Sequence, residues 1–335
     1  MKKTFKLVTG FGALITAALL YAGWASDIDH ETLAVKYGAG TSQFITLDIG
    51  ATAHYRDTGP VGATPILLLH GSNASLHTWD AWAAALSKSY RVIRVDLPGH
   101  GLTGAVTGDD YTYDGMVRFL EVFTGAMGLE RFIIGGNSMG GGVSAAFTLA
   151  HPDQVTALLL VDAAGVAYTP KEPKDVPLGF TVAGLPVINK MMLKITPRSL
   201  VRQGIEQSYH DDSLITDALV DQYWLLLRHP GNRRATTLRF RAYAANPVNL
   251  EAEKIGKPTL VLWGEGDTII PLEAGLEWHR RLPDSQLVIL QNAGHNPMEE
   301  IPARSLKPVL DFLQSLTAEK PQRFPDAVTT ETGQP

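Results

Sequence analysis

The feature that most narrows the possible folds is an alternation of short apolar runs with segments of helical spacing. The runs at residues 65–69 (PILLL), 91–95 (RVIRV), 132–135, 157–161 (ALLLV), 258–263 and 286–290 are largely apolar and no longer than a strand. Runs of this kind are buried on both faces, as the strands of a parallel sheet are. Between them Trp79, Trp82 and Leu86 recur at helical spacing, as do Met116, Leu120, Phe123 and Met127. Strand–helix repeats specify parallel βαβ units, so the expected class is α/β with a doubly wound, mostly parallel sheet. Ahead of it, residues 44–49 and 51–57 read as two antiparallel strands turning at Gly50.

The alternation stops between residues 165 and 250. That stretch enters through a Pro/Lys/Glu-rich segment, continues as helical material at 180–195, 199–209 and 215–227, and holds no strand pattern. It is expected to form a helical cap inserted between two core segments, 40–164 and 251–316. Residues 317–335 are polar and proline-containing and are expected to form a disordered tail.

At the start, Lys2, Lys3 and Lys6 precede an uncharged stretch from Leu7 to Ala25 that ends in Gly23-Trp24-Ala25. A positive beginning, an apolar centre and small residues at the end describe a signal peptide over residues 1–25. The stretch is also near the length that crosses a bilayer, which makes an uncleaved membrane anchor the other reading. Either one places the rest of the chain outside the cytoplasm, secreted, periplasmic or tethered to the inner membrane.

With 335 residues, 45% of them hydrophobic and 19% charged, the chain can bury a large core. A net charge of -5 gives no electrostatic basis for a nucleic-acid partner. There is no cysteine, which excludes a thiol nucleophile, a disulfide and a thiolate metal site.

Gly136-Asn137-Ser138-Met139-Gly140 fits G-x-S-x-G, and its context is what gives the pattern weight. An apolar strand leads in and a small-residue, helix-compatible run leads out, the setting of a nucleophile elbow. Ser138 would then sit on a tight turn at the carboxyl edge of the sheet and at a helix N-terminus, where a developing anion is favoured. A serine hydroxyl needs a base to become a nucleophile. His295, in the loop after the last core strand, is the candidate; the imidazole needs a carboxylate in turn. Asp267, in the loop after the strand at 258–263, is the candidate for that role, with Asp162 and Glu265 as competitors. The order Ser138, Asp267, His295 is that of an elbow-bearing hydrolase. Backbone N–H groups of Ser72, or Asn73 beside it, and Met139 are candidates for an oxyanion hole.

Together LLLHGS (67–72), DLPGHG (96–101), GGNSMGG (135–141), LWGEGDTIIP (262–271) and NAGHNPMEE (292–300) resemble the α/β-hydrolase superfamily from about Phe44 to Leu316, outside the insertion. Family members similar to haloalkane dehalogenases and epoxide hydrolases carry aspartate at the nucleophile position, which Ser138 fills here. GNSMGG is similar to the elbow of meta-cleavage-product hydrolases, which break C–C bonds; Asn296 stands where those enzymes typically carry tryptophan. The resemblance implies a serine hydrolase, without metal or organic cofactor, that cleaves a small-molecule carboxylic ester through an acyl-enzyme on Ser138. A C–C hydrolase, a lactonase, a cofactor-free perhydrolase and a non-catalytic binding protein on the same fold are the alternatives. Phe180, Val182, Leu185, Val187, Ile188, Met191, Met192 and Leu193 form either an apolar wall suited to hydrophobic esters or a packed helix between cap and core.

Overall fold

A computed structural model describes residues 24–169, 193–317 and the backbone of 328–331. The expected leader or anchor at residues 1–25 lies outside this range but for Trp24 and Ala25, and the expected apolar wall lies outside it but for Leu193. Among the described residues no helix is long and apolar enough to cross a membrane.

The alternating runs form one nine-stranded sheet in the order β1-β2-β4-β3-β5-β6-β7-β8-β9. Its strands are Ser42–Leu47 (β1), Ala51–Thr58 (β2), Pro65–Leu69 (β3), Arg91–Val95 (β4), Phe132–Asn137 (β5), Val155–Val161 (β6), Thr259–Gly264 (β7), Ser285–Leu290 (β8) and Val328–Glu331 (β9). β2 pairs antiparallel with β1 and β4, and every other pairing is parallel. The sheet is therefore doubly wound and mostly parallel, as the apolar runs require.

Helices cover both faces and account for two apolar layers. On one side Phe119, Phe123, Phe147, Trp263 and Trp278 are wholly buried; on the other, Trp79, Trp82, Val309 and Leu313. Burying a side chain of this size contributes roughly 1.5–3 kcal/mol, so each layer is a large share of net stability. The indoles also keep their N–H groups satisfied: Trp82 donates to Ser305 Oγ at 3.1 Å and Trp278 to the carbonyl of Ala163 at 3.1 Å. The Trp278 bond fastens the loop that leaves β6.

Between β6 and β7 lie helices Arg198–Glu206, Asp217–Leu227 and Asn232–Ala245. Apart from one isolated bridge between Ile195 and Trp24, the described part of this stretch holds helices and turns. The third helix falls where the sequence showed no clear apolar periodicity. A short helix, His30–Tyr37, precedes β1 and buries Leu33 and Tyr37. One expectation is corrected at the other end. Residues 317–335 read as a disordered tail, yet Val328–Glu331 forms β9 and pairs parallel with Leu287–Leu290 of β8. Its polar surroundings mask a β-branched run, Val328-Thr329-Thr330, and a sheet edge offers unpaired N–H and C=O groups to such a segment.

Candidate active site

The elbow is built by β5 entering and the helix Met139–Ala150 leaving. Ser138 joins them at φ 53° and ψ -121°, a backbone conformation that costs a non-glycine residue about 1–3 kcal/mol. Its neighbours hold it there: Ser138 N donates to Val161 O at 3.0 Å, and Ser138 O accepts from Ala164 N at 3.0 Å. The glycines on either side make the turn possible. A Cβ on Gly136 would lie 2.3 Å from the Gly140 carbonyl carbon, and one on Gly140 would lie 2.4 Å from Leu69 O. Strand and helix can cross this closely only without side chains.

His295 and Asp267 come from the loops after β8 and β7 and meet directly. His295 Nδ1 lies 2.7 Å from Asp267 Oδ2, with His295 6% and Asp267 3% exposed. The other Asp267 oxygen accepts from Ile269 N at 2.7 Å and Ile270 N at 3.0 Å. These donors fix the orientation of the carboxylate. With Nδ1 engaged, Nε2 is the ring nitrogen left for proton transfer. Ser138 belongs to the same sheet edge, and Asn137 beside it ties the elbow to the histidine loop: Asn137 Nδ2 donates to His295 O at 2.9 Å.

Of the competing acids, Glu265 is exposed and Asp162 is wholly buried at the end of β6. Burial, together with the charge of Asp267, pushes the Asp162 carboxyl well above the usual range. Asp267, not Asp162, is the carboxylate within hydrogen-bond distance of His295 Nδ1.

The two loops proposed to supply oxyanion donors touch, since Ser72 Oγ donates to Met139 Sδ at 3.5 Å. Met139 opens its helix, where the first N–H groups have no partner within the helix. The loop after β3 is held by His70, whose Nδ1 lies 2.8 Å from Gly71 O and whose Nε2 accepts from Leu97 N at 3.0 Å. One nitrogen must donate and the other accept, which requires a neutral ring, and burial lowers the His70 pKa accordingly. The next loop residue, Asn73, is left-handed at φ 61° and accepts from Thr236 Oγ1 at 2.9 Å and Arg239 Nη2 at 3.2 Å. The inserted helix Asn232–Ala245 thus holds this loop from above.

The insertion also reaches the other two loops. His295 N donates to Ser208 O at 2.7 Å, and Thr268 Oγ1 donates to Gln207 O at 2.7 Å. Glu300 spans the junction, with Oε2 accepting from Gly294 N at 2.7 Å and Oε1 from His210 N at 2.8 Å and Asp211 N at 2.9 Å. Beside it Glu299 accepts from Tyr223 at 2.7 Å and Tyr209 at 3.3 Å, and burial raises the Glu299 carboxyl despite these donors. In the sequence Asn137 is only the variable position of the elbow, and Glu299 and Glu300 mark only the start of a helix. Their partners are up to 158 residues away, so no local signal identifies these contacts.

Residues 64–302 match the family model described as "alpha/beta hydrolase fold". The chain is similar to the 2-hydroxy-6-oxononadienedioate/2-hydroxy-6-oxononatrienedioate hydrolase of Cupriavidus pinatubonensis, at 31% identity over 82% of this chain and 96% of that one. It is similar to human monoacylglycerol lipase ABHD6 at 28% identity, over 78% of this chain and 79% of that one. Among solved structures, a meta-cleavage product hydrolase from Pseudomonas fluorescens IP01 superposes with a TM-score of 0.68 at 26% identity, covering 81% of this chain and 97% of that one.

Proposed function

The chain belongs to the α/β-hydrolase family, and from that premise we propose that it is a serine hydrolase cleaving a carboxylic ester through an acyl-enzyme on Ser138. The observation that carries this reading is the strained Ser138 turn on the sheet edge where the Asp267–His295 pair also lies, tied to it through Asn137.

In this mechanism Ser138 Oγ attacks the ester carbonyl as His295 Nε2 takes its proton. Asp267 stabilises the imidazolium and keeps the proton on Nδ1. The tetrahedral oxyanion accepts the N–H groups of Ser72 and Met139, each worth roughly 3 kcal/mol of barrier in comparable sites. The imidazolium then protonates the departing alkoxide. A water molecule, activated by the neutral imidazole, releases the acid. The helices between β6 and β7 act as a cap that shapes the acyl and alcohol pockets. The residue pattern at 1–25 favours export or a membrane tether for this enzyme.

Similarity to a 2-hydroxy-6-oxononadienedioate hydrolase supports a second reading, cleavage of a C–C bond in a ring-fission dienoate by the same three residues. The two separate in one experiment: a chain-length series of p-nitrophenyl esters and a ring-fission dienoate are offered to the parent and to Ser138→Ala. Ester turnover by the parent that Ser138→Ala abolishes supports the ester reading, and turnover confined to the dienoate replaces it with the C–C reading. Equal ester rates in both proteins would remove Ser138 from the chemistry.

A further inference from the structure

Behind the Asp267–His295 pair lies a third titratable group that the mechanism above does not use. Asp162 ends β6 in the left-handed region at φ 45°, pinned by its N–H to Leu262 O at 3.0 Å, with no exposed surface. Its Oδ1 accepts from Gly264 N at 2.8 Å, and its Oδ2 is buried with no donor among the described residues. Carboxyl oxygens of Asp162 and Asp267 and a ring nitrogen of His295 all lie within 4.8 Å of one another.

Two buried carboxylates facing one imidazole cannot both be charged without leaving a buried charge unpaired. The donors decide which one ionises. Asp267 receives two backbone N–H groups and a ring N–H. Asp162 receives one N–H and keeps one orphan oxygen. A proton on that oxygen turns an unsatisfied acceptor into a donor facing the Asp267 carboxylate. We propose that Asp162 keeps its proton and donates it to Asp267 in a hydrogen bond, making it a positioning residue that holds Asp267 toward His295 and its reserve should Asp267 be lost. The inference rests on the serine-hydrolase reading above. The charged or titratable groups around Asp162 are Asp267 after β7, His295 after β8 and Glu300 on the helix Pro297–Glu300. Burial and the charges of Asp267 and Glu300 all favour the neutral form of Asp162.

The direct test is infrared spectroscopy of the whole chain at neutral pH. The parent should show a protonated-carboxyl C=O band that Asp162→Asn removes, while any contribution from Glu299 stays in both spectra. An unchanged band overturns the proposal whether or not the protein turns over esters, so this failure is distinct from failure of the hydrolase reading, which Ser138→Ala tests. Kinetics supply the second arm. Asp162→Ala should lower kcat about 10- to 100-fold with little change in KM, the scale of one hydrogen bond to a charged group. Asp162→Asn, whose amide can still donate, should recover most of that loss. In an Asp267→Asn background Asp162 becomes the acid. Adding Asp162→Asn there should then cost at least about 10-fold more than it does in the parent, the mark of coupled residues. Equal costs in the two backgrounds, or an Asn variant as slow as the Ala variant, would overturn the assignment. Should Asp162→Ala fail to fold, the spectrum and the double variant still decide the question.

Discussion

The side-chain amide of Asn137 donates to the main-chain carbonyl of His295 at 2.9 Å, so the residue before Ser138 holds the loop that carries His295. Asn137 is 1% exposed, and no solvent replaces its amide if the side chain is shortened. Asn137→Ala should therefore destabilise the fold by about 1–3 kcal/mol and lower kcat more than it raises KM. Denaturant midpoints and steady-state ester kinetics on the same preparation would show whether both losses occur together.

Glu300 serves the same loop from the other side. Its carboxylate accepts three backbone N–H groups, two of them from the insertion. Glu300→Gln turns one acceptor into a donor that faces an N–H, while Glu300→Ala leaves all three unsatisfied. We expect kcat to fall in the order parent, Gln, Ala, with the Gln variant down about 10-fold, the scale of one charge-assisted hydrogen bond. A Gln variant with parental kcat would assign Glu300 to stability alone.

The elbow tolerates no side chain at Gly140, where a Cβ would lie 2.4 Å from Leu69 O and 2.5 Å from His70 O. Both are backbone atoms and cannot rotate away. Gly140→Ala should cost about 1–3 kcal/mol from overpacking and should shift Ser138 with it. A thermal midpoint within experimental error of the parent would refute this.

Acid sensitivity should come from another buried group. Burial alone would raise the Asp96 carboxyl, but the charge and hydrogen bond of His54, 2.6 Å away and the largest of the opposing causes, help to outweigh it, so the pKa falls below its ordinary 3.8. A depressed folded pKa contributes stability that is present above the ordinary value and lost as pH falls through the folded one. Asp96→Asn should then unfold more easily than the parent at pH 7, and the gap should narrow below about pH 4. Urea midpoints measured from pH 3 to 8 would reveal a constant gap if Asp96 contributes only through shape.

Most of the sheet and the placement of the three candidate site residues at its edge were legible because each depends on local pattern. Apolar runs mark β3 to β8, and Ser138, Asp267 and His295 each follow such a run at the sheet's carboxyl edge. What was not legible depends on distant packing. The helix Asn232–Ala245 carries four arginines along its length and shows no apolar stripe, because it buries Arg233 and Arg239 instead. β9 sits in a polar, proline-containing segment and exists only because β8 offers it an edge. Asp162 and Asp267 both end apolar strands, and the donors that set them apart lie outside any local pattern.

The contacts among Gln207, Ser208, His210, Asp211 and the loops of Asp267 and His295 bear on how such a protein could diversify. A lid joined only by flexible hinges can be exchanged as a module, leaving the chemistry beneath it intact. Here the inserted stretch shares a hydrogen bond with the backbone of His295, so under the proposed mechanism selectivity and turnover would not be separable traits. A chimaera that grafts another relative's insertion onto this scaffold would have to carry over the corner at residues 207–211, or lose rate along with its old substrate range.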